Sequence, residues 1–235
     1  MPPARLVRLS FLIATLLGAA APAAADVGGT LTLQSDARDR GMSYSGNRPG
    51  AQLGLSWDGG AGWYVGAQLA WARFSGQRRG VWLQGYVGRV FGLSTALDGE
   101  AGLIAHSFQS VAHYDFREVY VGLLGERWNL RLYHSPDYYG SGQRSLYGEF
   151  NLRQPLAQGI AALAHAGVLL GSGPAPSYVE AHGPTRMDLR AGVSWQVGAS
   201  SEFQLAWVAA SRGGPYTWTD STRRRSVVLT LIAAF

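Results

Sequence analysis

The 235-residue sequence predicts an all-β fold: a transmembrane, antiparallel, up-and-down β-barrel of about 12 strands. Three observations predict it. Apolar and polar residues alternate with period two along most of the chain, the mark of a strand with one apolar face. Most alternating segments run 9–13 residues, whereas strands of soluble proteins average about 5–6 and a tilted strand crossing a bilayer needs about 9–11. The connections alternate short and long, as they do where tight turns lie on one side of a membrane and loops on the other.

Composition narrows the classes that fit. Glycine supplies 32 residues, about twice its usual ~7% share, and charged residues are 15% of the chain against a usual ~25%. With aromatics at 11% as well, a disordered charged tail is excluded. The absence of cysteine excludes a disulfide scaffold and a cysteine-ligated zinc or iron–sulfur site. Residues 26–235 contain no apolar run of the ~18 residues that a helical span requires. The apolar residues must therefore either fill a soluble β core or alternate onto a lipid-facing surface.

Residues 1–25 read as a cleaved secretory signal peptide. Arg5 and Arg8 form the positive start, Leu9 to Leu17 the apolar stretch, and Ala23-Ala24-Ala25 the small-residue cleavage site before Asp26. No cysteine follows the apolar stretch, so no lipid anchor is expected. Removing the two arginines takes the formal charge from +5 to +3. The barrel is expected over residues 26–235.

Strands are predicted at about 28–40, 49–57, 62–73, 80–91, 95–106, 116–124, 127–135, 143–154, 159–170, 186–197, 201–212 and 223–235. The phase is clearest where Met187, Leu189, Ala191, Val193, Trp195 and Val197 alternate with Asp188, Arg190, Gly192, Ser194 and Gln196. It is also clear where Trp63, Val65, Ala67, Leu69 and Trp71 alternate with Tyr64, Gly66 and Gln68. Short turns fall at Asp58-Gly59-Gly60, Gly92-Leu93-Ser94, Gly125-Glu126, Pro155–Gly159 and Gly198–Ser200. Longer loops fall at Gly41–Arg48, Ser75–Arg79, Ser107–Asp115, Pro136–Gly142, Gly171–Thr185 and Gly213–Thr222. Trp57, Trp63, Phe91, Trp128, Trp195, Phe203 and Phe235 are expected to form an aromatic belt at the short-turn interface. Trp71, Phe74, Tyr138, Tyr139, Tyr216 and Trp218 are expected to form a second belt at the loop interface. The last strand alternates through Val227, Leu229, Leu231 and Ala233 to a terminal Phe235. Such an ending is read as the signal by which an outer-membrane assembly machinery recognises its client.

Two stretches carry a family resemblance. Ser35-Asp36-Ala37-Arg38-Asp39-Arg40-Gly41-Met42-Ser43 fits a pattern S-D-Y-R-F-R-G-x-S, with Ala37 and Asp39 in place of its two aromatics. Tyr133-His134-Ser135-Pro136-Asp137-Tyr138-Tyr139-Gly140-Ser141-Gly142-Gln143-Arg144-Ser145-Leu146-Tyr147 fits Y-x-S-P-D-Y-x-G-x-G-x-x-S-L-Y closely. In these the chain resembles the TorF family of porin-like proteins, also called the Gcw_chp family. The resemblance implies an outer-membrane barrel with porin-like function, in a Gram-negative bacterium, and specifies no solute.

Closing such a sheet puts its polar face inside. The residues expected to line the pore are Asp36, Arg38, Arg40, Gln68, Glu100, Arg131, Glu149, Asn151, Arg153, Asp188 and Arg190. Gln52, Gln84, Asp98, Glu118, His165, Gln196 and Gln204 share their phase. Asp36, Arg38 and Arg40 fall at successive inward positions of the first strand. The two charge signs are nearly balanced, which argues against strong ion selectivity. Such a lumen either conducts small hydrophilic solutes by passive diffusion or is closed by its own ion pairs, leaving a structural or surface-interaction barrel.

An enzyme is the third reading. His134 and Ser135 lie at the loop end, but neighbouring strand residues face opposite ways, so they do not pair directly. His106 and His113 flank a loop without a carboxylate at a telling spacing, and no spacing signals a metal. No cofactor is expected. Arg223, Arg224 and Arg225 open the last strand at its outer end and suit the phosphates of lipopolysaccharide. The expected partners are outer-membrane lipids and lipopolysaccharide, the assembly machinery and small hydrophilic solutes. Nucleic acid is not expected, because the basic residues lie at the rim of a membrane barrel.

Overall fold

A backbone N–H or C=O left unpaired in hydrocarbon is costly, so a sheet crossing a bilayer has to close on itself. A computed structural model describes residues 26–73, 79–109, 111–173, 182–215 and 223–235. Its strands are β1 (Asp26–Gln34), β2 (Arg38–Asp39), β3 (Met42–Ser43), β4 (Gly50–Asp58), β5 (Trp63–Arg73), β6 (Arg79–Gly92), β7 (Asp98–Phe108), β8 (Phe116–Leu124), β9 (Trp128–Ser135), β10 (Arg144–Ala157), β11 (Ile160–Ser172), β12 (Thr185–Val197), β13 (Ser201–Ala210) and β14 (Arg225–Ala234). All but β2 and β3 form one closed antiparallel barrel in chain order. The signal peptide, Phe74, Tyr216 and Trp218 lie outside the described residues.

The seam closes where β1 pairs on one side with β4 and on the other with β14, as at Thr30, which faces both Gly54 and Ala234. The terminal residue takes part: the Phe235 amide donates to the Gly29 carbonyl at 3.0 Å, and the Gly29 amide to the Phe235 carbonyl at 2.8 Å. The two faces separate as the alternation requires. Leu189, Val193 and Trp195 stand outward, 47–60% exposed, while Asp188 and Ser194 on the same strand are buried inside. A large apolar surface left bare in this way needs a covering medium, and a lipid bilayer supplies it.

Tyrosine rings fill part of the lumen. Inward glycines make room for the rings: the Tyr120 hydroxyl lies 2.4 Å from where a Cβ on Gly102 would sit, and that of Tyr147 lies 2.3 Å from the same point on Gly167. Any larger residue at these two positions would displace a ring.

Two expectations are corrected. The first strand does not run to residue 40. It ends at Gln34, and residues 35–49 turn into the barrel as a hairpin built on β2 and β3. The reversal lies at Arg40 and Gly41, whose φ angles are +45° and +77°. A strand cannot continue through two left-handed residues. The second correction concerns the belt expected at the loop interface. Tyr138 and Tyr139 are buried, 1% and 4% exposed, against Phe116 in the mouth of the barrel. Their rings pack there against Phe108 and Phe116 and against each other. Of the other aromatics in that belt, Trp71 does stand outward.

Candidate functional site

The lumenal hairpin positions the site. It leaves the wall at the outer ends of β1 and β4 and reaches β10, which stands six places from β4 in the twelve-membered ring and so directly opposite. Polar contacts hold it. The Tyr44 amide donates to the Ala37 carbonyl, the Asn47 amide to Ser43 Oγ at 2.8 Å, and Ser45 Oγ to the Arg48 carbonyl at 2.6 Å. Arg38 bonds Asp36 and the Gly41 carbonyl and also reaches the Arg223 carbonyl near the last strand. At the tip, Gly41 is pressed against Asp188 and Ala210, and a Cβ there would lie 2.6–2.7 Å from their Cβ atoms.

Arg40 carries the main contact. Its Nη1 and Nη2 donate to Glu118 Oε1 and Oε2 at 2.8 and 2.7 Å, a bidentate fork. Its guanidinium lies 4.5 Å from the Tyr147 ring centre, 5.3 Å from that of Tyr133 and 5.6 Å from that of Tyr138. His106 completes the surround of Glu118, its Nε2 standing 3.1 Å from Oε2. Trp82 Nε1 donates to His106 Nδ1 at 3.2 Å, which places the ring proton on Nε2, facing the carboxylate. His106 therefore does have a carboxylate partner, contrary to the reading of spacing. The pair joins neighbouring strands twelve positions apart in sequence, a distance that no local pattern marks.

A second cluster lies on the adjoining wall. His165 has Asn151 Oδ1 2.7 Å from Nδ1 and Asp188 Oδ1 2.7 Å from Nε2. Asn151 Nδ2 donates to Asn129, which fixes Oδ1 as the atom turned to the ring. Both ring nitrogens thus face acceptors, an arrangement that the doubly protonated imidazole satisfies. Beside it, Arg190 bonds Gln204, and its Nε is buried without a hydrogen-bond partner. Glu149 accepts a hydrogen bond from Tyr133 at 3.0 Å and is in no ion pair among the described residues.

These groups surround a cavity of about 310 Å³ inside the barrel. Asp36, Arg38, Arg40, Gln68, Glu149, Asn151, Asp188 and Arg190 border it. Gln52, Gln84 and Gln204 add neutral amides to its wall. Glu100, Arg131 and Arg153 do not reach it. Glu100 and Arg131 pair with each other nearer the short turns, where Tyr64 also donates to Glu100. Arg153 pairs with Glu202 at 2.6 Å. On the hairpin, burial pushes the Asp39 carboxyl above its ordinary range, and the neighbouring Arg40 opposes that shift.

At the outer rim the three consecutive arginines divide. Arg224 Nη1 turns in to the Met42 sulfur, while Arg223 and Arg225 are exposed. His134 is exposed with its Nδ1 on the Ser145 carbonyl, while Ser135 is fully buried on the other face. The alternation expected for that pair is the one observed. No local pattern in the sequence marks Asp39 or Trp82 as part of the site. Tyr64 and Tyr147 fell on the polar face of the pattern, which was the available signal.

No family model matches the chain, and no curated protein matches it. Solved structures do. A structure described as a KdgM porin aligns with a TM-score of 0.54 at 10% identity, covering 90% of this chain and 99% of that one. The NanC porin aligns with a TM-score of 0.58 at 12% identity, covering 88% and 99%. The KdgM porin in complex with disordered oligogalacturonate aligns at 0.50 and 10%, covering 90% and 99%. The closed twelve-stranded barrel of this chain is therefore similar in fold to these porin structures.

Proposed function

We propose that the protein is an outer-membrane channel for passive diffusion of small hydrophilic solutes, exported by residues 1–25 and inserted with Phe235 as its assembly signal. The observation that carries this reading is a cavity of about 310 Å³, bordered by charged and amide side chains, within a barrel whose outer face is apolar. An interior serving only as a core would be packed without such a space. Its wall of arginines, carboxylates and amides offers exchangeable hydrogen bonds to a hydrated solute. The porin fold and the two sequence stretches resembling the TorF family support the same reading. Transport down a gradient needs no cofactor and no catalysis.

The exposure of Arg223 and Arg225 supports a role for them in contacting lipopolysaccharide phosphates. Arg224 is turned inward and is left out of that role.

A second reading has a specific observation in its favour. The hairpin crosses the lumen and ties itself to the far wall through Arg40 and Glu118, as a closed structural barrel would require. Planar-bilayer recordings separate the two. Discrete conductance from the full chain, altered in size by Arg38→Ala, supports the channel. A silent membrane containing folded, heat-modifiable protein, both with and without residues 36–46, refutes it.

A further inference from the structure

The surround of Arg40 has the composition of a receptor for an organic cation. One carboxylate, Glu118, meets the guanidinium in the plane of its fork. Three tyrosine rings lie 4.5–5.6 Å from its carbon. An aromatic cage closed by a carboxylate is the arrangement by which proteins recognise cations that carry weakly held water. The four residues that form it are nearly dry: Glu118 is 2% exposed and Tyr133, Tyr138 and Tyr147 are 1–3% exposed. Yet Arg40, Glu118, Tyr133 and Tyr147 also border the lumenal cavity, so the cage opens onto the space a solute would occupy.

The group that fills the cage is not part of the wall. Arg40 is delivered on a hairpin that belongs to no barrel ladder, and its own φ of +45° is one that a non-glycine residue seldom adopts. If the hairpin withdraws, the cage remains, because its ring-bearing residues and Glu118 belong to β8, β9, β10 and the turn after β9. Glu118 is then left with His106 alone, and Glu149, in no ion pair among the described residues, borders the same cavity.

We propose that Glu118, Tyr133, Tyr138 and Tyr147 form a binding site for small solutes bearing a guanidinium group, and that Arg40 occupies it as a tethered competitor. An ammonium group fits less well, since a point charge cannot take both carboxylate oxygens in one plane while presenting flat faces to the rings. The proposal concerns occupancy of the lumen and stands whether or not the solute crosses the barrel.

The test uses the full-length barrel, folded in detergent, with methylguanidinium as the probe and calorimetric titration as the readout. Arg40→Ala should bind methylguanidinium at least tenfold more tightly than the wild-type chain. Adding Glu118→Gln or Tyr147→Leu to Arg40→Ala should remove at least tenfold of that affinity. Methylammonium should bind more weakly than methylguanidinium to Arg40→Ala. Equal affinity in the wild-type chain and Arg40→Ala, or equal affinity with and without Glu118→Gln, overturns the proposal. Should Arg40→Ala not fold, the wild-type chain decides. Millimolar methylguanidinium should speed hydrogen exchange at the Tyr44 amide severalfold relative to sodium chloride at the same ionic strength. Identical rates in the two salts overturn the proposal as well.

Discussion

Replacing Glu118 by Gln isolates what holds the hairpin in the lumen. The substitution keeps the shape and one acceptor oxygen but removes the charge that both Arg40 nitrogens use. Taking one partner from a buried ion pair costs about 3–5 kcal/mol. Here the lower end applies, because the glutamine oxygen still accepts one bond and the three tyrosine rings continue to attract the guanidinium at about 0.5–2 kcal/mol. Docking should therefore weaken by about 3 kcal/mol, and since ~1.4 kcal/mol is a factor of ten, the undocked population should rise about 100-fold. Hydrogen exchange reports this directly. The Tyr44 amide is bonded to the Ala37 carbonyl within the hairpin, and the Leu205 amide sits in the β13 ladder. In Glu118→Gln, exchange at Tyr44 should accelerate about 100-fold while Leu205 changes by less than about threefold. Equal acceleration at both would mean that the hairpin and the barrel open together. An unchanged Tyr44 rate would mean that the Arg40 contact does not hold the hairpin at all.

Other substitutions test other parts of the same picture. Gly41→Ala places a Cβ 2.6–2.7 Å from Ala210 and Asp188 at a φ of +77°; it should loosen docking by about 1–3 kcal/mol, read as faster exchange at Tyr44 with the barrel melting point unchanged. The Asp39 carboxyl is raised above 3.8 in the docked hairpin, so its contribution favours docking below that pH and is lost as pH rises through the raised value. Asp39→Asn should accordingly slow Tyr44 exchange at pH 7 and flatten the difference between pH 4 and pH 7; a steeper difference in the variant contradicts the assignment. On the lipid face, Leu189→Arg should cost about 2–4 kcal/mol in urea unfolding from phospholipid vesicles, and Leu189→Val under about 1.5 kcal/mol. Arg73 and Arg79 face each other across β5 and β6, with no acidic residue anywhere between Asp58 and Asp98. Arg79→Glu should raise the melting point of the barrel in detergent, and a lowered melting point would show that the like-charge pair is not repulsive.

The barrel was legible in the sequence because lipid and water impose opposite demands on neighbouring residues. Met187 to Val197 can satisfy both only as a two-faced strand, and the structure places that strand at Thr185–Val197. The hairpin was not legible for a related reason. Asp36, Arg38 and Arg40 keep the same period whether they line a wall or fold into the lumen, since both places are polar. What distinguishes the two is the left-handed backbone at Arg40, and an arginine does not announce that. The tyrosines were ambiguous in another way, because a ring with a hydroxyl suits a headgroup layer and a polar lumen equally well; Tyr138 and Tyr139 went to the lumen where a belt had been expected. Contacts such as Arg40 with Glu118, 78 residues apart, depend on which strands stand opposite in a closed ring. Closure of that ring, and not any local motif, brings them together.

The two parts of the fold are consequently held by different forces. The wall is held by continuous ladders in a medium that offers the backbone no alternative partner, so opening it is costly at every rung. The hairpin is held by a few ion pairs and hydrogen bonds beside the cavity, so its docking rests on separate contacts and not on a continuous ladder. The chain has no lysine, and an arginine fork engages two acceptors at once, which concentrates the hairpin's stability at Arg38 and Arg40. Once Arg40 is released, the hairpin should lose its internal Tyr44–Ala37 bond as well, while the wall around it stays closed.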